Sequence, residues 1–182
     1  MNLPLKLIIL DRDGVINFDS DAYIKSPAEW KPIPGSIEAI ARLNRNGYRV
    51  VVATNQSGIG RGLFDMATLC AINDKMMELV FRQGGRIDAL FFCPHTADEN
   101  CNCRKPKTGM YEEIEKRFNT KLTGVPCVGD SLRDLQAGAA MGCSTYLVLT
   151  GKGGKTQAEG GLPKKTLVFA DLAAAADHLI EA

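Results

Sequence analysis

The feature that most constrains the fold of this chain is a repeated alternation of short apolar runs with longer amphipathic stretches. Residues 5–10 (LKLIIL) and 48–53 (YRVVVA) are brief, carry β-branched side chains and are bounded by polar or glycine positions. That is the pattern of strands buried on both faces. Residues 88–92, 125–128 and 144–149 repeat it, and 167–169 form a weaker sixth run. Between them, residues 36–46, 65–82, 109–118, 132–141 and 171–180 place apolar side chains at helical spacing. The first of these stretches follows Pro34-Gly35 and stops at Gly47, an orthodox helix start and stop. Strand, helix and strand at this spacing imply βαβ units, hence a parallel sheet with helices on both faces. We expect a single α/β domain over residues 1–182.

Composition narrows the function classes. Twenty-two Lys and Arg against twenty-one Asp and Glu leave a net charge of +1, which argues against broad electrostatic binding of nucleic acid or a membrane surface. No apolar stretch reaches the roughly 18 residues of a membrane-spanning helix. The apolar run within residues 1–10 is too short for a signal peptide and leads straight into Asp11, so the chain is expected in the cytoplasm. There its six cysteines stay reduced, which favours isolated thiols or a metal over disulfides. Cys70, Cys127 and Cys143 lie among apolar residues and read as buried small hydrophobes. Cys93, Cys101 and Cys103 bunch around His95. Residues 151–165 hold five glycines and four lysines, which reads as a mobile surface loop with solvated lysines.

In an open parallel sheet, ligands bind outside the carboxyl ends of the strands, near the point where strand order reverses. The residues that follow each expected strand should therefore make a coherent site if the chain is an enzyme. They are Asp11-Arg12-Asp13-Gly14 after the first, Thr54-Asn55-Gln56-Ser57-Gly58 after the second, and a cysteine loop ending in Arg104-Lys105-Pro106 after the third. Gly129-Asp130-Ser131 follows the fourth, with Asp134 one helical turn on. Converging carboxylates need a positive charge among them. A hard cation such as Mg²⁺ takes one or two protein carboxylates together with waters and substrate phosphate. Carboxylates, Mg²⁺, a lysine and a hydroxyl around one phosphoryl group describe phosphoryl transfer, and an ionised Asp can attack phosphorus. The glycines of residues 58–62 lack the Gly-Lys-Ser/Thr ending of a nucleotide-binding loop.

This ordered set, over residues 5–150, resembles the four motifs of the haloacid dehalogenase (HAD) superfamily of phosphatases. The segments Asp11-Arg-Asp-Gly-Val-Ile-Asn17 and Thr54-Asn-Gln-Ser-Gly-Ile-Gly-Arg-Gly62 resemble the branch of heptose-bisphosphate and histidinol-phosphate phosphatases, the heptose enzymes more closely. The resemblance implies a Rossmann-like domain without a large cap. It makes Asp11 the nucleophile and a Mg²⁺ ligand, and Asp13 the acid and base whose backbone carbonyl also binds Mg²⁺. Thr54 and Lys105 would hold phosphoryl oxygens, and Asp130 would be the remaining metal carboxylate. Two readings of Asp134 stand, a further metal acid or a structural acid, and Ser131 sits beside the metal site or caps a helix. Asn55, Gln56 and Ser57 would shape the substrate pocket. Asp19, Asp21 and Tyr23 lie where this branch contacts the sugar, and Arg104 would clamp a second phosphate, the other reading being a surface arginine.

The implied reaction is hydrolysis of the 7-phosphate of a heptose 1,7-bisphosphate through an aspartyl phosphate, in the supply of ADP-heptose for lipopolysaccharide. Histidinol phosphate is the rival substrate. A phospho-acceptor receiver domain and a non-catalytic zinc module are the rivals of other classes. The expected partner is a small-molecule sugar bisphosphate, with no nucleic acid and no membrane, and the chain is expected to be a monomer. Cys93, His95, Cys101 and Cys103 offer three thiols and an imidazole. Four such ligands suit a closed, tetrahedral, structural Zn²⁺, the other reading being free thiols. Zinc there would order a polar loop and fix Arg104 and Lys105 beside it.

Overall fold

The computed structural model describes residues 5–181; residues 1–4 and 182, the ends of the expected N-terminal run and domain, lie outside it. Six strands, β1 (Lys6–Leu10), β2 (Tyr48–Asn55), β3 (Ala89–Cys93), β4 (Pro126–Gly129), β5 (Ser144–Val148) and β6 (Leu167–Phe169), form one parallel sheet in the order β3-β2-β1-β4-β5-β6. Six helices connect or follow them: α1 (Ser36–Arg45), α2 (Met66–Arg82), α3 (Gly109–Phe118), α4 (Leu132–Ala140), α5 (Gly153–Glu159) and α6 (Leu172–Glu181).

The central strands are apolar over residues 7–10 and 50–53 because side chains from both of their faces are buried there. Ile8, Leu10, Val50 and Val52 point into one core with α1, α2 and α6, where Ile40, Leu43, Ile72, Met76 and Ala175 meet them. Leu7, Ile9, Val51 and Ala53 point into the other, against Met110, Tyr111 and Ile114 of α3 and Ala137 of α4. The alternation of β1 thus divides cleanly between two helical layers. No described helix is long and apolar enough to cross a membrane.

The segment between β1 and α1 has little regular structure, yet it is anchored. Val15, Ile16, Ile24 and Trp30 are buried in the first core, and Ser36 Oγ donates to Ile16 O at 2.6 Å. The residues between these anchors, Asp19 to Tyr23, are therefore held against the end of the sheet.

Two expectations are corrected. Cys70 is exposed, and Cys143 is only partly buried, whereas Cys127 is buried as expected. α2 buries Leu69, Ile72, Asn73, Met76 and Val80, a stripe at i, i+3, i+4, i+7 and i+11, and Cys70 falls beside it. Residues 151–165 are not a loop throughout, since they contain α5. This helix is seven residues long and buries only Gly153 and Thr156, so it has no apolar stripe for a periodicity argument to find.

Candidate active site

β1 and β4 are neighbours although they are not consecutive, so the crevice between their carboxyl ends is the switch point of the sheet. Asp11 leaves β1 there, with its backbone N–H donating to Val128 O at 2.9 Å, and Asp130 leaves β4 opposite. With Asp134 they place buried carboxylate oxygens within 4.8 Å of one another. Burial, and then repulsion from Asp134, push Asp11 up to about 6. Burial together with Asp134 and Asp11 pushes Asp130 up to about 8. The three acids lack compensating charge, and their hard oxygen donors fit a divalent cation such as Mg²⁺.

Partial compensation comes from Lys105. It is 2% exposed, and its ammonium lies 3.0 Å from Asp11 Oδ1 and 2.8 Å from Asp134 Oδ1. It also donates to Ala53 O at 2.7 Å, so all three of its protons are engaged. Asn55 explains how a loop residue is held so firmly. Its Oδ1 accepts from Lys105 N–H and its Nδ2 donates to Lys105 O, both at 3.1 Å.

Asp134 and Ser131 stand together at the start of α4. Ser131 is the N-cap of α4, and its N–H and Oγ both donate to Asp134 Oδ2, at 3.1 and 2.7 Å. Asp134 Oδ1 faces the Lys105 ammonium at 2.8 Å as an ion pair. Burial alone would raise this acid, but Lys105 and Arg133 outweigh it and hold it below the usual carboxylate range. The Ser131 hydroxyl is spent on the cap, and Ser131 does not line the substrate cavity.

Asp13 lies in a different environment. Arg12 donates to both of its oxygens, at 3.0 and 3.2 Å, and Asn17 and Gln56 add bonds at 2.9 and 3.0 Å. Arg12 is fully buried and is itself held by Asn73 at 3.2 Å. Burial would raise Asp13, but these donors, Arg12 foremost, lower it. Gln56 also donates to Thr54 Oγ1 at 2.9 Å, which leaves the Thr54 hydroxyl proton available to a ligand.

Asp130 reaches the crevice only because two glycines make room. A Cβ on Gly14 would lie 2.0 Å from Asp130 Oδ2, and one on Gly151 would lie 2.2 Å from it. The next residue, Lys152, donates its backbone N–H to Asp130 Oδ2 at 2.7 Å. Its ammonium turns back to Asp19 at 3.2 Å and Asp21 at 3.5 Å.

The cavity above this floor, about 170 Å³, is lined by Asp11, Asp13, Asp19, Asp21, Tyr23, Thr54, Asn55, Gln56, Ser57, Arg104 and Asp130. These are all candidates from the sequence, and Lys105 and Asp134 lie beneath them. Arg61, Arg133 and Lys152 line it as well and were missed, as was Arg12. The signal for Arg12 and Arg133 was only adjacency to a motif acid, and Lys152 was read as a solvated lysine. To one side, the Cys93, Cys101 and Cys103 thiols and the His95 imidazole place ligand atoms within 4.8 Å of one another. Cys103 Sγ lies 3.1 Å from Cys93 Sγ and 3.3 Å from His95 Nδ1, and Arg104 and Lys105 follow it directly.

An acid pair after β1, a hydroxyl at the end of β2, a lysine in the loop after β3 and an acid after β4 of such a sheet define a hydrolase of the haloacid dehalogenase class. A family model described as HAD-hydrolase-like matches residues 102–175, and one described as polynucleotide kinase 3 phosphatase matches residues 6–138. Over 177 residues the chain is 59% identical to D-glycero-beta-D-manno-heptose-1,7-bisphosphate 7-phosphatase of Bordetella bronchiseptica, covering 97% of this chain and 99% of the relative. It is 53% identical to the protein of that name from Pseudomonas aeruginosa, covering 96% and 98%. A crystal structure of D,D-heptose 1,7-bisphosphate phosphatase from B. bronchiseptica, complexed with magnesium and phosphate, superposes with a TM-score of 0.96 at 59% identity, over 97% of this chain and 99% of that one. The chain belongs to the family of the D-glycero-beta-D-manno-heptose-1,7-bisphosphate 7-phosphatases.

Proposed function

We propose that this chain hydrolyses the 7-phosphate of D-glycero-β-D-manno-heptose 1,7-bisphosphate in a Mg²⁺-dependent reaction, in the supply of ADP-heptose. The observation that carries the reading is the convergence of Asp11, Asp13, Thr54, Lys105 and Asp130 at the switch point of a chain so similar to phosphatases of that name. Asp11 and Asp130, with the backbone carbonyl of Asp13, are the groups that would hold Mg²⁺; Asp134 is already spent on Lys105 and Ser131. Bound there, Mg²⁺ supplies the positive charge that the acids lack and that a phosphoryl group also needs.

Asp11 Oδ2 has no hydrogen-bond partner among the described residues, whereas Oδ1 accepts from Arg12 N–H at 2.8 Å. The free oxygen attacks phosphorus, the bond from phosphorus to the sugar oxygen breaks, and Asp13, ionised in the resting site, passes to that oxygen a proton it takes from the substrate's phosphate monoanion. Asp13, ionised again and hydrogen-bonded by Arg12, Asn17 and Gln56, takes a proton from water as the water oxygen attacks the aspartyl phosphate. That step returns the Asp11 carboxylate and releases phosphate. Thr54 donates to a phosphoryl oxygen, and Lys105 offsets charge on Asp11 from below. Asn55, Gln56 and Ser57 shape the wall, Asp19, Asp21 and Tyr23 face the sugar, and Arg104 meets the second phosphate. Arg104 suits that role because its recorded bond is to a neutral group, His95 O at 3.2 Å.

Cys93, His95, Cys101 and Cys103 hold a structural Zn²⁺ that orders the loop carrying Arg104 and Lys105. The substrate is a small-molecule sugar bisphosphate rather than a polynucleotide, a reading supported by similarity to heptose-bisphosphate phosphatases over nearly the whole chain. We read the chain as a monomer acting in the cytoplasm, where sugar phosphates and reduced thiols reside.

The test is Mg²⁺-dependent phosphate release from both anomers of the bisphosphate beside histidinol phosphate, with Asp11→Asn as the blank. Fast release from the β anomer, absent in the blank, is expected. A preference for histidinol phosphate would overturn the substrate, and release that persists in the blank would overturn the nucleophile.

A further inference from the structure

Three of the cations around the cavity already have a carboxylate partner, whereas Arg61, Arg104 and Arg133, which also line it, form no ion pair among the described residues. Arg12 holds Asp13, Lys105 bridges Asp11 and Asp134, and Lys152 reaches Asp19 and Asp21. Arg133 differs from them. It stands in the first turn of α4, beside Asp134, and lines the same cavity as Asp11, Asp19 and Asp130. Among the described residues its guanidinium forms no ion pair, and its Nε is buried with no hydrogen-bond partner. A buried N–H of this kind is uncommon enough in folded chains to call for a partner. The nearby acids are occupied: Asp134 by Lys105 and Ser131, and Asp130 Oδ2 by Lys152 N–H. Burial works against the charge of Arg133, but Asp134, Asp11, Asp130 and Asp19 outweigh it, so the group stays cationic.

We infer that Arg133 is a substrate-binding residue, whose guanidinium takes an oxygen of a phosphate group when the sugar bisphosphate fills the cavity. Its planar fork of donors suits that ligand, and its position next to both the floor acids and Asp19 places it where the ligand must pass. The inference rests on the sugar-bisphosphate reading above. Either phosphate offers the same chemistry, and the experiment separates them.

Arg133→Met and Arg133→Lys are compared with the wild type at saturating Mg²⁺, on heptose 1,7-bisphosphate, on heptose 7-phosphate, and for inhibition by inorganic phosphate. The Met variant is expected to lose on the order of tenfold to a hundredfold in kcat/KM for the bisphosphate, with Lys restoring part of it. If Arg133 meets the phosphate that stays on the sugar, the preference for bisphosphate over monophosphate falls by that factor. If it meets the transferred phosphate, both substrates lose in step and inhibition by inorganic phosphate weakens. Either pattern supports the inference.

A group that only balances the acids predicts the opposite sign, because removing a cation beside Asp11 and Asp130 lowers the Mg²⁺ needed for half-activity. That change alone, or unaltered kcat/KM and phosphate inhibition, would overturn the inference. Should the Met variant fail to fold, the Lys variant keeps the charge but not the fork and still reads the contact. Failure of the heptose reading shows separately, as a wild type that does not hydrolyse the bisphosphate; inorganic phosphate binding then still tests Arg133.

Discussion

Lys105→Met removes one charge from the floor of the site while nearly keeping its volume, so it isolates the electrostatic problem the fold has to solve. The ammonium has three protons and three partners, Asp11 Oδ1 at 3.0 Å, Asp134 Oδ1 at 2.8 Å and Ala53 O at 2.7 Å. The thioether leaves all three without their donor. Removing one partner of a buried ionic group costs about 3–5 kcal/mol, because the other charge stays buried and uncompensated. For a chain of this length that corresponds to a fall in Tm of roughly 6–20 °C.

The second arm is Asp134→Asn, which keeps an oxygen for the bonds from Ser131 at 3.1 and 2.7 Å but removes the stranded charge. Combined with Lys105→Met it should recover part of the loss, with a coupling of about 1–3 kcal/mol. The assay is urea unfolding of all four proteins after dialysis into Mg²⁺-free buffer without a chelator. Mg²⁺ would stabilise the native state by mass action and hide the effect, and a chelator would also remove the zinc proposed for the cysteine cluster. A loss under about 1 kcal/mol for Lys105→Met, or additivity within about 0.5 kcal/mol across the cycle, would refute the reasoning.

Gly14→Ala sets a Cβ 2.0 Å from Asp130 Oδ2 at a φ of +83°, whereas Gly47→Ala has nothing within 4 Å at a φ of +84°. Both incur backbone strain of roughly 1–2 kcal/mol, but only Gly14→Ala should displace the carboxylate. The Mg²⁺ needed for half-activity should therefore rise in that variant alone, and equal Mg²⁺ titrations would remove Asp130 from the metal site. Cys103→Ser should lower bound zinc and raise KM together, because Arg104 and Lys105 follow that cysteine in the chain. Changes beyond the ligands themselves already cost about 10–100-fold in metal affinity, so a full zinc content with unchanged kinetics would count against Cys103 as a ligand and against the metal's role in placing Arg104 and Lys105.

What was legible in the sequence follows from what burial and strand ends leave in one dimension. Strands buried on both faces must be apolar throughout, so β1 and β2 announced themselves, and polar residues directly after a buried strand are forced to the sheet's carboxyl edge. Asp11, Thr54 and Asp130 could be placed for that reason, whereas Lys105, twelve residues beyond β3, was placed by the family resemblance. α5 could not be placed, because a seven-residue helix that buries only Gly153 and Thr156 leaves no periodic trace. With it went Lys152, whose glycine neighbour and lysine side chain look like any solvated loop until Asp130 and Asp19 are seen to hold them.

Ser131 and Asp134 mark a deeper limit. The spacing Ser-x-x-Asp is at once a helix cap and the signature of an acid beside a metal, and nothing local separates the two. The separation comes from Lys105, which arrives from the loop after β3 and pairs with the remaining oxygen of Asp134. With that acid spent on lysine and cap, the charge that Asp11 and Asp130 still require must come from outside the chain. Arg133, left without an acid to pair with, is correspondingly free for the anion that arrives with it.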